Sequence, residues 1–278
     1  MKITAGLGAL EYLAAYATAG ADEVFCGYVP EAWTQRYSQV LPMNRREVRY
    51  CNVQIGSETE LRLLTAQAKD LGISVTLTLN SLYYIPEQYP LLTDNILHCR
   101  ELGVSGFIIA DPALLLYLHQ NDLSSDIPIH VSGELGACNR HVLALCRELG
   151  ATRYIFHRKV SLNDIATCIN AEHNAESLSA KEASTAPGFS MTPLSPISPL
   201  SPTSPMSFEA FALNELCHFH GGFCNTLHCD VLPHMCREAY RLGGVSSALP
   251  QQVPAASTDD PQLLGGTGCG LCALWRMG

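Results

Sequence analysis

Two rhythms of hydrophobic and polar positions alternate along the first 175 residues. Short β-type runs, mostly apolar, recur as "KITAG", "EVFCGY", "ISVTLTLN", "VSGFIIAD", "IPIHVS" and "ATRYIFHR". Between them lie stretches of helical period: "ALEYLAAYATAGA", "SETELRLLTAQAKDLG", "PEQYPLLTDNILHCRELG", "PALLLYLHQ" and "RHVLALCRELG". Strands that are apolar on both faces are covered on both faces, and strands alternating with helices build a parallel sheet from βα units. The repeated Leu-Gly stops are helix C-cap signals, and Ser57 with Glu60 in "SETE" forms a capping box. Six β runs precede residue 160 and "FEAFALNEL" supplies a seventh. The pattern predicts an α/β fold, a (β/α) TIM-like barrel, for which an eighth strand would be needed to close the ring. An open doubly wound sheet is the alternative. "AGLGALEYLA" lacks the G-x-G-x-x-G spacing, so a dinucleotide site is weakly supported.

The rhythm divides the chain. Residues 1–175 form the βα-repeat barrel portion. Residues 176–207 are Ser/Pro-rich, with a proline at every third position from Pro193 to Pro205. That spacing forbids helix and sheet, and the stretch has little to bury, so a disordered insertion is expected; a PxxP ligand is the lesser reading. Residues 208–278 hold the last barrel strand and a Cys-rich region. The chain stops at "GCGLCALWRMG", which reads as the start of a helix, so a barrel incomplete at its C-terminus is expected.

Bulk composition narrows the classes. The 278 residues are 47% apolar, enough for one large core. A net charge of −9 argues against a protein held mainly on nucleic-acid phosphates, although an RNA base at a local basic patch remains open. The N-terminal stretch has no signal-peptide pattern, and no run reaches the ~18 apolar residues of a membrane span. A cytoplasmic, reducing location is expected, in which the twelve cysteines are not six disulfides.

Half of those cysteines gather late in the chain, spaced Cys217-x6-Cys224-x4-Cys229-x6-Cys236-x32-Cys269-x2-Cys272. The bacterial ferredoxin run is absent, and only Cys269 and Cys272 make a close pair. Clustered thiols in a reducing compartment point to a soft metal site; from spacing alone, zinc and an iron–sulfur cluster are equally favoured. His218, His220, His228 and His234 add nitrogen donors to the zinc reading. Cys26, Cys51, Cys99, Cys138, Cys146 and Cys168 are scattered and read as small buried hydrophobes.

Strand ends offer further chemistry. His130 and Ser132 alternate at the end of "IPIHVS" and face one way, Asn80 ends "SVTLTLN", and Arg158 follows "YIF". The C-terminal ends of barrel strands are where substrate sites form. Asn80, Ser132 and Arg158 are therefore substrate-binding candidates, Arg158 as a clamp for a carboxylate or phosphate. His130 and Glu134 are candidate catalytic groups. No Gly-x-Ser-x-Gly elbow and no His-Glu-x-x-His motif is present.

"FEAFALNELCHFHGGFC" resembles the signature of peptidase family U32, with Glu209, Phe211, Leu216, Cys217, Gly222 and Cys224 in register. The chain departs from it at Asn214 and Glu215, and again at Thr226-Leu227, as a divergent subgroup would. "GALEYLAAYATAGADEVFCG", "PIHVSGELGACN" and "HRKVSLNDI" resemble other parts of that family and keep His130, Ser132, Asn139 and Arg158. The resemblance implies a (β/α) barrel carrying a [4Fe–4S] cluster. It also implies oxygen-independent hydroxylation, or a related redox modification, of a small aromatic or RNA-base substrate. Matched residue by residue, the cluster ligands are Cys217, Cys224, Cys236 and Cys269, with Cys272 or Cys229 as substitutes for the fourth. His218, beside a ligand, is a candidate for tuning the cluster or moving protons. Two other functions remain: a U32-type peptidase, or a metal-stabilised, non-catalytic subunit working with a paralogous partner.

Overall fold

The computed structural model describes residues 1–37, 43–44, 54–136, 139–178 and 206–212. All strand pairings are parallel. Strand β1 (Thr4–Gly6) is followed by α1 (Leu13–Thr18), β2 (Glu23–Tyr28), α2 (Glu31–Tyr37) and the two-residue β3 (Gln54–Ile55). Next come α3 (Glu58–Asp70), β4 (Ser74–Leu79), α4 (Tyr89–Glu101), β5 (Gly106–Ile109) and α5 (Pro112–Gln120). The described chain closes with β6 (Ile129–Val131), α6 (Arg140–Glu148), β7 (Ala151–Ile155), α7 (Leu162–Leu178) and β8 (Ser207–Glu209). The strand order is β1-β2-β4-β5-β6-β7-β8, with β3 beside β2, and among the described residues no pairing joins β8 back to β1. The fold is thus an incomplete (β/α) barrel. The six expected β runs are all strands, and β8 takes in Phe208 and Glu209 of the expected seventh, "FEAFALNEL"; β3 is an addition too short to be seen in the pattern.

Local chemistry sets the helix ends. Ser57 Oγ accepts from the Glu60 N–H at 3.1 Å, and the Glu60 carboxylate accepts from the Gly56 N–H at 2.8 Å. The capping box forms, with its return bond one residue earlier than the usual N-cap amide. Asn139 caps α6 by accepting from the N–H groups of His141 and Val142. Gly72 and Gly103 take φ of +69° and +95°, the left-handed geometry that lets each Leu-Gly stop end its helix without steric cost.

The apolar core lies between the sheet and the helices. Leu61 and Leu64 of α3, Leu92 and Ile96 of α4, and Leu114 and Leu118 of α5 are buried against Val75, Leu77, Phe107, Ile109, Ile129 and Val131. Each such side chain contributes on the order of 1.5–3 kcal/mol by leaving water. The expected 176–207 insertion overlaps α7, which runs to Leu178, and β8, which starts at Ser207; residues 179–205 lie outside the described residues.

Candidate functional site

Residues paired in a parallel register present their side chains to the same face. One such row runs Thr78, Ile108, His130, Arg153 and Ser207 across β4 to β8. Thr4, Glu23 and Ser74 share that face on β1, β2 and β4. Alternate positions, Val24, Val75, Leu77, Phe107 and Ile129, are apolar and turn towards the helices. The inner face is therefore rich in polar and charged groups beside Phe25, Ile108 and Ile155, unlike the Val/Ile/Leu filling usual in a barrel of this kind.

Across this lumen the Arg153 guanidinium donates to both oxygens of Glu23, at 2.5 and 3.0 Å, and to Oε2 of Glu209 at 3.2 Å. Lys2 Nζ donates to Glu23 Oε1 at 2.9 Å. Glu23 stands on β2 and Arg153 on β7, with β4, β5 and β6 between them in the sheet. Only a sheet curled into a barrel brings these two together. Following the pairing from Arg153 leads to Thr78 and then to the level of Gly27 on β2, not to Glu23, and this offset is the stagger that barrel closure demands.

A register irregularity makes the pairing possible. Ile129 pairs with Ala151, yet the next residue, His130, pairs with Arg153, so Thr152 is the extra residue of a bulge. A one-residue slip exchanges the two faces of a strand, and without it Arg153 would point at the helices.

Electrostatics follow from these contacts. The hydrogen bonds from Arg153 hold the Glu23 carboxyl down at about 2, against the opposing effect of burial and with help from Lys2. Glu209 shifts the other way: burial raises it, Arg153 offsets part of this through one longer bond, and the neighbouring Glu23 charge adds to the rise. His130 is 8% exposed, and burial, reinforced by the Arg153 charge, lowers it to about 4. The imidazole is neutral at physiological pH and sits over Gly106, where a Cβ would come within 3.4 Å of its Nε2.

The other sequence candidates divide. Ser132 is buried and its Oγ accepts from the Glu134 N–H at 3.2 Å, so it caps the turn after β6. It lies two residues beyond His130, nearer the mouth, as Asn80 lies two beyond Thr78. Each lies one residue past the end of its strand, and Asn80 is half-buried. Glu134 is half-buried in the 3-10 turn Gly133–Leu135. Arg158 lies past the end of β7 with its guanidinium carbon 5.1 Å from the centre of the Phe211 ring. His130 thus faces the lumen, Asn80 and Ser132 stand at the strand ends, and Glu134 and Arg158 lie in the loops beyond. Cys217, Cys224, Cys229, Cys236, Cys269, Cys272 and His218 lie outside the described residues.

Glu23 and Arg153 were missed from the sequence. The available signal was a charged residue inside each of two apolar strand runs, "EVFCGY" and "ATRYIF". Among the described residues no three His, Cys, Asp or Glu side chains group to hold a metal. The four described cysteines are buried thiols; burial pushes Cys99 up to about 12 and Cys146 up to about 11, so neither offers a ready thiolate. No helix among the described residues is long and apolar enough to cross a membrane.

Fold and lumen define a parallel, incomplete (β/α) barrel with an internal ion-pair chain and a late cysteine signature. The sequence model of peptidase family U32 matches residues 8–242, and the chain belongs to that family. A curated relative, the tRNA hydroxylation protein P of Escherichia coli (strain K12), is 26% identical over 156 residues; the match covers 56% of this chain and 30% of the relative. The chain thus spans about a third of that protein's length. Among solved structures, the U32 peptidase Mk0906 is similar with a TM-score of 0.42 and 16% identity, over 67% of this chain and 66% of that one. Oxaloacetate acetylhydrolase in complex with the product oxalate is similar with a TM-score of 0.40 and 14% identity, over 61% and 63%.

Proposed function

We propose that this chain is a U32-type iron–sulfur protein. Its activity is, or supports through a paralogous partner, the oxygen-independent hydroxylation or related redox modification of a small aromatic or RNA-base substrate. The observation that carries the reading is the match of Glu209, Phe211, Leu216, Cys217, Gly222 and Cys224 to the family's signature, broken at Asn214 and Glu215, read beside a relative named for tRNA hydroxylation. The family's peptidase name finds no support in a Gly-x-Ser-x-Gly elbow or a His-Glu-x-x-His motif, since the sequence has neither.

The thiolate donors suit zinc and a cluster alike, and the family resemblance favours the cluster. Cys217, Cys224, Cys236 and Cys269 (or Cys272 or Cys229) would hold it, because cluster iron takes soft thiolates and the four described cysteines, Cys26, Cys99, Cys146 and Cys168, are buried in the apolar core. When bound, the cluster supplies one-electron redox chemistry. The chain's own residues do the rest. Asn80 and Ser132 stand at the strand ends and orient a polar substrate. His130, neutral, exchanges hydrogen bonds without adding charge to the lumen. Arg158, broadened by its contact with Phe211, offers a flat cationic surface at the rim for a carboxylate, phosphate or base. His218 stands next to a ligand in the chain, where a proton donor would act.

Anaerobic purification followed by iron, sulfide and zinc analysis tests this. Expected are iron and acid-labile sulfide in equal amounts with broad visible absorption, lost in Cys217→Ala and kept in Cys229→Ala. One zinc per chain without sulfide would instead establish the zinc alternative and end the redox proposal.

A further inference from the structure

We infer that Arg153 is a positioning residue that fixes β8, and with it the start of the cysteine-bearing arm, from inside the barrel. The part that concerns the arm rests on the cluster reading above. Strand β8 is three residues long and pairs with β7 at three positions. So short a strand is weakly held by its ladder alone. Its last residue, Glu209, points into the lumen and meets Arg153 at 3.2 Å. Arg153 cannot swing away, because two of its N–H groups are taken by Glu23 on the opposite wall, and Lys2 holds that carboxylate in turn. The guanidinium is therefore anchored on β2, rooted on β7 and presented to β8.

The same short segment is gripped at two further points. On the outer face the Phe208 ring stacks on Phe156 with centroids 5.7 Å apart. Past the strand end, Phe211 lies against Arg158. Of these grips, the lumen one answers a cost specific to the site. Burial disfavours the Glu209 charge, and Arg153 is the cation that offsets it. Six residues after Phe211 the chain reaches Cys217. In the chain, β8 therefore leads straight to the first proposed cluster ligand.

The test uses the full chain, purified without oxygen. Glu209→Gln keeps the side-chain shape and leaves the Arg153–Glu23 pair intact, so it is the mild variant. Arg153→Met removes both contacts, and Arg153→Lys keeps a cation without the fork. Two readouts are taken: amide hydrogen exchange of β8 and the peptides after it against β4 and β5, and the rate at which visible absorption bleaches when an iron chelator is added. Glu209→Gln is expected to speed exchange at Ser207–Glu209 and bleaching each by about tenfold, with β4 and β5 unchanged. Arg153→Met is expected to do more, and Arg153→Lys to recover part of the loss. Wild-type exchange at β8 in Glu209→Gln, or a rise spread evenly over β4, β5 and β8, overturns the inference. Faster β8 exchange with unchanged bleaching overturns its extension to the arm. Wild-type protein without iron or sulfide removes the cluster reading and, with it, that extension. The β8 exchange data then decide by themselves whether Arg153 is a clamp.

Discussion

Gly133 and His157 approach so closely that a Cβ on the glycine would stand 3.0 Å from both the backbone nitrogen and the Cα of His157. The carbonyl oxygen of Ile155 would lie at the same distance. All three obstacles are backbone, so none can step aside by changing rotamer. This contact joins the loop after β6, which carries Ser132 and Glu134, to the loop after β7, which carries Arg158.

Gly133→Ala is therefore expected to destabilise the fold by about 2 kcal/mol or more, since overpacking against backbone forces the chain itself to shift. Urea denaturation measures the change. Gly8→Ala, whose added Cβ has nothing within 4 Å, is the control and is expected to have little effect.

The lumen ion pair has a measurable coupling. Glu23→Gln leaves Arg153 with its longer bond to Glu209, and Arg153→Met leaves the buried Glu23 with Lys2; each alone is expected to cost about 3 kcal/mol. The double variant is expected to cost clearly less than the sum of the two. Denaturation of the four proteins in parallel gives the coupling directly; additive losses would mean that the pair contributes nothing beyond packing.

Acid is expected to destabilise the protein in two windows. The folded state resists protonating His130 until about 4, while the unfolded chain takes up that proton near 6.5, so stability falls as pH drops between those values. Glu23 is held at about 2 when folded against 4.5 when free. Its contribution is complete above about 4.5 and disappears as pH falls through 2. His130→Gln is expected to flatten the upper window and leave the lower one in place. Stability measured between pH 7 and 4.5 checks the first, and the acid unfolding midpoint checks the second.

Thiol reactivity separates structural cysteines from ligand candidates. Burial holds Cys99 and Cys146 protonated far above neutral pH, so both are expected to resist iodoacetamide in the folded protein and to react in urea. Cys99→Ala is expected to cost on the order of 1 kcal/mol in stability and leave the iron content unchanged. Mass spectrometry of alkylated peptides, with metal analysis of the variant, reads both.

Much of the scaffold could be read from the chain. The βα alternation, the cap at Ser57 and the Leu-Gly stops at Gly72 and Gly103 depend on interactions within a few residues, and the pattern records those directly. The position of His130 on a strand of alternating faces was legible for the same reason, because alternation along a strand is local. The role of Ser132 as a turn cap was not, since it depends on where Glu134 is carried by the loop.

The sequence by itself determined the alternation of strands and helices, the parallel sheet and the clustering of six cysteines late in the chain. Tertiary structure alone decided that Glu23, Arg153 and Glu209 meet. Glu23 and Arg153 are 130 residues apart in the chain. Their meeting needs a bulge at Thr152 to turn one of them inward and the curl of the whole sheet to bring β2 opposite β7. Neither leaves a mark on local periodicity, because register and closure are set by the sum of contacts among strands and helices and not by any one run of residues.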